Sequence, residues 1–461
     1  MSGTRFVSLL GLAFGDCGKG LFIDALCRRW PVSTVMRFNG GAQAGHNVVL
    51  SDGRAHTFSQ FSAGTFVPGV MTVLAAPVVV HPTALLVEHA HLESKGVGNA
   101  FERLMIDRRC RINTPFHQAA GRLREILRGT ATHGTCGVGV GETVKHALAA
   151  PEHVLTYGDF PSSSLVMQKL EAIRHDLLVS LGDVDQQIDL RLQRNHSARK
   201  EWHVLLDSTL SRRWLAAMEE LLWHVPPTAP ENIAKRLTAS DTVLLEGAQG
   251  VLLDEWYGFH PHTTWSTIRP LAAETAIADY CPNQYDIEHL GVLRTYLTRH
   301  GAGPLPTHDP QLDALPELHN ASIGWQGTFR RGHPDAVLLR YALDVTGPLY
   351  GLLISHLDVF SHNVGIHWCD SYQLMEKTEL DRLCIDGKVS SLQQIKRLDV
   401  GTQDNLLHQS KLTSLLFNAV PNYLPKTITS PCDYLDRITT EAQCPVWFGA
   451  FGQTSSNVIS V

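Results

Sequence analysis

Seven short apolar runs punctuate the chain: "TRFVSLLGL", "STVMRF", "VMTVLAAPVVV", "DTVLLEGA", "LGVLRTYL", "PLYGLLIS" and "CPVWFGAF". Several are apolar at consecutive rather than alternate positions, the pattern of strands covered on both faces, and they predict a mostly parallel sheet. Between them, "LVMQKLEAIRHDLLVSL", "LSRRWLAAMEELLWHV" and "PDAVLLRYALDVTG" carry apolar residues at helical spacing, the last with Pro near its start and Gly at its end. The Pro-rich "HVPPTAPENI" from residue 224 predicts a loop that returns the chain from a helical excursion, about residues 160–240, to the sheet. The expected fold class is α/β: a large, mostly parallel central sheet flanked by helices, with helical and loop subdomains, in one domain spanning residues 1–461.

Composition narrows the partners. A chain of 461 residues, 44% hydrophobic, can bury a sizeable core. Its net charge of −6 lacks the basic excess that attracts a nucleic-acid backbone or an anionic membrane, so neither partner is expected. Nine cysteines, an odd number with no C-x-x-C pair, fit reduced thiols and a cytoplasmic location. The opening "MSGTRFVSLLGLAFG" has one Arg and a short apolar run that ends in glycines, and no later stretch reaches the ~18 apolar residues of a membrane span. A soluble, unsecreted protein is expected.

The chemistry begins in "GLAFGDCGKG", residues 11–20, where glycines, one acid and one lysine follow the first apolar run and precede the helical "LFIDALCRRW". A strand, a glycine-rich loop and a helix in that order aim backbone N–H groups at one point, which suits phosphate. Against the Walker pattern G-x-x-x-x-G-K-[ST], Ala13 stands at the first glycine and Gly20 at the magnesium-binding hydroxyl. A second glycine-rich loop, "RFNGGAQAGHNVV" at 37–49, follows the next strand and encloses Gln43 and His46.

The pair G-D-x-G-K-G and G-G-x-x-A-G-H resembles the adenylosuccinate synthetases, ligases that join aspartate to IMP at the expense of GTP. "EGAQGVLLD" at 246–254, "TRHGAGPLPT" at 298–307 and "SHLDVF" at 355–360 follow in the family's order, so the likeness spans nearly the whole chain and implies a P-loop-related fold. The resemblance implies that Asp16 takes the N1 proton of IMP so that O6 can attack the γ-phosphate, and that Asp16 and the carbonyl of Gly45 hold Mg2+. His46 matches the residue that hydrogen-bonds the phosphate chain, which makes Asp16 and His46 the catalytic pair. The GTP contacts implied are Cys17, Gly18, Lys19, Gly20, His46, Arg330, His356 and Asp358, with Asp358 reading guanine. The IMP contacts implied are Asp16, Lys19, Gln43, Ala44, Gly45, His46, Thr135, Cys136, Gln249 and Thr264. A homodimer is also implied.

Several positions depart from the family. Cys17 and Cys136 stand where the family has an acid and a threonine, and a thiol is a weaker donor. The family lysine beside Asp358 is His356, and "KHALAAPEHV" lacks the arginine that reaches the partner's IMP phosphate. In the amino-acid loop, "GWQGTFRRGHPD", Arg330 and Arg331 remain but Thr328 replaces an arginine. The C-terminal "FGAFGQTSS" also lacks its arginine. A lost bidentate contact costs on the order of 2–4 kcal/mol, enough to change which amine is accepted. Beside the default ligase, the residues therefore leave open a paralogue using a related purine nucleotide or another amino acid, and a homologue that binds nucleotide without catalysis. His260 and His262 lack a Cys or a third nearby ligand and predict no zinc site; His89 and His91 are expected to be surface or packing residues, and Ser62 shows no paired base.

Overall fold

The structure, a computed structural model, describes residues 3–129, 133–182, 195–283, 286–317, 320, 325–362, 364–374, 383 and 394–461. Its centre is a nine-stranded sheet. In chain order the strands are β1 (Arg5–Gly11), β2 (Val32–Arg37), β3 (Met71–Leu74), β4 (Leu104–Ile106), β5 (Thr242–Glu246), β6 (Ile287–Arg294), β7 (Gly351–Ser355), β8 (Val446–Ala450) and β9 (Val458–Ser460). Across the sheet they run β9-β8-β7-β6-β1-β5-β2-β3-β4. Every neighbouring pair is parallel except β8 with β9. The expected α/β class with a mostly parallel sheet is what forms.

The consecutive apolar positions have the reason inferred from them. Val7 and Leu9 of β1 enter one core, together with Val35 and Leu244, while Phe6 and Leu10 point to the opposite face and join Met36, Val243 and Leu245. Both faces of these strands are therefore covered, and alternation would have left one face polar. A third core lies under the C-terminal third, where the helix Ala336–Thr346 packs Leu338 and Ala342 against it. That helix is capped by Asp335, whose carboxylate accepts from the amides of Val337 and Leu338, and it ends at Gly347 with φ 73°.

Three expected elements are divided. "VMTVLAAPVVV" is two strands, β3 and a separate Val79–Val80, because Val78 N–H turns back to the carbonyl of Ala75 and Pro77 has no N–H to give a ladder. "LGVLRTYL" is likewise divided: β6 ends at Arg294, the Thr295 hydroxyl and N–H both go to the carbonyl of Ser355, and Leu297–His300 joins a different, antiparallel pair with Phe329–Gly332. "LSRRWLAAMEELLWHV" breaks at Met218 into helices Leu210–Ala217 and Glu219–His224. The Pro-rich loop is shorter than expected, since Pro230 occupies the first turn of a helix, Pro230–Thr238, where its missing N–H costs nothing. Among the described residues no helix is long and apolar enough to cross a membrane.

Leu244 is fully buried in the central strand β5, whereas Leu407 is 68% exposed. Leu244→Ala is expected to cost about 2–5 kcal/mol through lost burial and the cavity left behind, and Leu407→Ala less than about 0.5 kcal/mol. Denaturant unfolding of the two variants checks this; equal effects would contradict the layer assignment.

Candidate active site

The carboxyl ends of β1, β2, β5, β6 and β7 all open on the same cavity, as ligand sites in parallel α/β sheets do. Its volume is about 1090 Å³, above the common range for one small ligand. Every site residue named from the sequence lines it except Thr328, Arg330 and Arg331.

The loop after β1 forms the floor. It turns through Gly15 and Gly18, both with positive φ, into the helix Lys19–Arg29, whose N-terminus has no side-chain cap. Its first amides therefore remain for a ligand, while Arg28 and Arg29 in the last turn complement the other end of the helix dipole. At Gly18 (φ 92°) a Cβ would come within 2.8 Å of Cβ of Ser355, so both the conformation and the space require glycine. Gly11 is constrained by space alone, because a Cβ would lie 3.1 Å from Nζ of Lys19 and 2.8 Å from the carbonyl of Gln249. The Lys19 ammonium donates to that carbonyl at 2.5 Å and contacts Sγ of Cys17 at 3.6 Å.

Asp16 projects from this loop at φ 36°, a left-handed conformation uncommon outside glycine. Burial pushes its carboxyl upward, but the His300 ring, Arg294 and Lys19 together hold it below the usual carboxylate range. Asp16 is thus ionised at neutral pH and able to accept a proton or a cation. Gln249 (φ 63°) and His356 (φ 62°) share the left-handed backbone, so three of the five described non-glycine residues with positive φ are site residues. Such strain collects where structure is built around a ligand.

The second glycine loop brings His46 to the same cavity. Arg37, at the end of β2, donates to the carbonyl of Ala44 at 3.1 Å and to that of Ser59 at 2.6 Å, which fixes the turn. His46 Nδ1 bonds the carboxylate of Glu246, a fully buried acid at the end of β5 that also accepts from the amide of Ala63 at 3.1 Å. Burial keeps the His46 ring below its ordinary value in spite of Glu246, and the Glu246 carboxyl, though buried, is held low by His46 and Arg37. The ring therefore gives its Nδ1 proton to an anion and turns Nε2 to the cavity. Glu246 was not assigned from the sequence; an acid ending the otherwise apolar "DTVLLEGA" was the available signal.

Other links hold the remaining loops in place. Asn39 accepts from the amide of Ala248 and donates to the carbonyl of Thr267, both at 2.8 Å, which sets the turn carrying Gln249. The Ser355 hydroxyl donates to the carbonyl of Cys17 at 2.8 Å, so it accepts from Nδ1 of His356 at 2.9 Å. That chain ties the loop bearing His356 and Asp358 to the glycine loop after β1. Burial and Arg294 keep the His356 ring well below its ordinary value and hence neutral. Both amide atoms of Gln43 are buried without a partner in the chain, as expected of a group that waits for a ligand.

The loop of Thr328, Arg330 and Arg331 is disposed differently. Thr328 is exposed, the Arg330 guanidinium donates to the carbonyls of Gly301 and Gly303, and Arg331 donates to the carbonyls of Asp313 and Leu315. Backbone carbonyls thus occupy the two arginines in this conformation. His260 and His262 line the cavity but belong to no group with metal-ligand spacing among the described residues. The group that has it, His146, His153 and Asp176, is wired otherwise. The Thr114 amide donates to Nδ1 of His117, so His117 Nε2 donates to Nδ1 of His146, and His146 must present Nε2–H to Asp176.

Comparison with known proteins agrees with this geometry. The family model for adenylosuccinate synthetase matches residues 8–459. The chain is 31% identical to adenylosuccinate synthetase of Edwardsiella ictaluri over 383 residues, 81% of this chain and 82% of that one. It is 30% identical to that of Mycobacterium marinum over 405 residues, 86% and 84% of the two chains. Among solved structures, the fully ligated adenylosuccinate synthetase of Plasmodium falciparum superposes with a TM-score of 0.73 at 19% identity, covering 99% of this chain and 100% of that one. The succinoaminodeoxyadenylate synthetase of cyanophage S-2L, solved with dGMP and with dATP as an energy donor, gives 0.60 at 15% identity, covering 100% and 96%. With the two glycine loops, the parallel sheet and a match across nearly its whole length, the chain belongs to the adenylosuccinate synthetase family of GTP-dependent ligases.

Proposed function

We propose that the protein phosphorylates O6 of IMP with GTP and joins L-aspartate to C6, giving adenylosuccinate for purine nucleotide synthesis. The observation that carries the reading is the meeting of Asp16, Lys19, His46, Gln249 and Thr264 around one cavity at the carboxyl edge of the sheet. Asp16, ionised and facing the cavity, takes the N1 proton as O6 attacks the γ-phosphate. Lys19 and the amides of residues 17–20 face the transferring phosphoryl group. His46, oriented by Glu246 through Nδ1, stands at the phosphate chain. The amine then attacks C6, and phosphate departs with the original O6.

Gln43, Ala44, Gly45, Thr135, Cys136, Gln249 and Thr264 are assigned to IMP, and Cys17, Gly18, Gly20, His356 and Asp358 to GTP, with the Asp358 carboxylate accepting from guanine N1 and N2. The carboxylate of Asp16 and the carbonyl of Gly45 are oxygen donors beside the phosphate cradle, a set that fits Mg2+. When bound, that ion supplies neutralisation of phosphate charge. The proposal treats residues 1–461 as one catalytic domain with a helical excursion at about 160–240, active as a homodimer in the cytoplasm; all eight described cysteines are free.

A specific observation favours a second reading within the same chemistry. Thr328 offers no charge, and Arg330 and Arg331 are engaged by backbone carbonyls, so an amine less acidic than aspartate, or a related purine nucleotide, competes as substrate. Incubation with GTP, Mg2+, IMP and a panel of amino acids, following phosphate release and product mass, distinguishes the two. No nucleotide-dependent product with any amine would favour a homologue that binds without catalysis.

Asp16→Asn is expected to lower turnover by about 10²–10⁴-fold with the fold retained, because an amide cannot accept the proton. Retention of more than about a tenth of wild-type turnover would contradict the role of a general base. Thr328→Arg is expected to lower the KM for aspartate by roughly tenfold or more, since a carboxylate contact of ~3 kcal/mol corresponds to about a hundredfold in affinity. Saturation of the wild type at low micromolar aspartate, with no gain from the arginine, would show that another group holds the carboxylate.

A further inference from the structure

Asp16 has to present its carboxylate in one orientation from a backbone in the left-handed region, and the two cations of its own loop environment do not fix it. The Lys19 ammonium is directed to the carbonyl of Gln249 and to Cys17. Arg294 reaches only the main-chain carbonyl of Asp16, at 3.5 Å, and spends Nη2 on Glu317 and the Tyr296 hydroxyl. Among the described residues, the side chain paired with the Asp16 carboxylate is His300, whose Nε2 lies 3.4 Å from Oδ2.

His300 is itself held on three sides. It ends the strand Leu297–His300 in register with Phe329 of the antiparallel partner strand. Its ring packs on that of Phe329 with centroids 4.8 Å apart, and the amide of the next residue, Gly301, donates to the carbonyl of Thr328 at 3.0 Å. Its Nδ1 is buried without a partner, so Nε2 is the nitrogen turned to the cavity and to Asp16. A carboxylate only accepts, which places a proton on that Nε2.

We propose that His300 is a positioning residue for phosphoryl transfer: its Nε2–H holds Oδ2 of Asp16 and leaves Oδ1 directed to the substrate. The inference rests on the reading of Asp16 as the base that prepares O6. It requires a hydrogen-bond donor at this place and no change in the protonation of the ring. The interaction is distant in sequence, and "TRHGAGPLPT" alone gives no reason to pair its histidine with the phosphate loop.

The full-length protein carrying His300→Ala or His300→Gln tests this, with Asp16→Asn alongside. Turnover and KM are measured under the amine found best in the panel, GTP affinity by calorimetry, and the thermal midpoint of each variant. His300→Ala is expected to lower kcat by about 10- to 100-fold, the scale of a misplaced catalytic group, with GTP affinity and midpoint nearly unchanged. His300→Gln, which can supply an N–H at similar reach, is expected to recover at least about a third of wild-type kcat. The proposal is overturned if His300→Ala stays within about threefold of wild type, if its defect lies in GTP affinity rather than kcat, or if the glutamine restores nothing at an unchanged midpoint. A dead Asp16→Asn beside a fully active His300→Ala removes this inference and leaves the reading of Asp16 standing. A fully active Asp16→Asn overturns both.

Discussion

The parallel pairing of β1 between β5 and β6 is the constraint on which the site depends. Leu9 lies opposite Glu246 and Gly11 opposite Val292, so the chain leaves these strands at nearly one level. The loop of Asp16 and Lys19, the turn of Gln249 and the segment leading to His300 consequently converge without any long-range design of their own. Burial of both sheet faces makes the register stiff, since a shift of one residue in β1 would exchange Phe6 and Leu10 with Val7 and Leu9 between two differently shaped cores. Close contacts then lock the loops: Gly11 admits Lys19 and Gln249, and Gly18 admits Ser355.

On that frame the protein brings two supported ionisable groups to one cavity. One is His46, backed by the buried Glu246; the other is Asp16, backed by His300. The first follows β2 and is held by the acid that ends β5, and the second follows β1, so the sheet places the two loops and the loops place the side chains. Pre-organised groups of this kind stabilise developing charge without reorganising during the reaction. The segment of Arg330 and Arg331 is less committed, because both guanidiniums give their charge to carbonyls of neighbouring turns.

Much of this was legible in the sequence, for local reasons. The strands β1, β2, β5, β7 and β8 announce themselves as apolar runs, and the Asp16 and His46 loops as glycines placed just after two of them. What was not legible depends on partners far along the chain. Glu246 reaches His46 across 200 residues, and His300 reaches Asp16 with no motif to join them. "LGVLRTYL" reads as one strand because nothing local reveals that Thr295 is pulled aside by the carbonyl of Ser355. Arginine identity showed that a loop could bind carboxylates; it could not show that Gly301 and Gly303 compete for the same guanidinium.

The central claim is that phosphate leaves GTP by way of the purine O6 and not through water. IMP labelled with 18O at O6, incubated with the protein, unlabelled GTP, Mg2+ and the preferred amine in ordinary water, tests that path through the mass of the phosphate released. The account predicts one 18O atom in each phosphate formed, in step with ligated product. Unlabelled phosphate, released with or without IMP, would mean that the site hydrolyses GTP with solvent and that O6 is never phosphorylated.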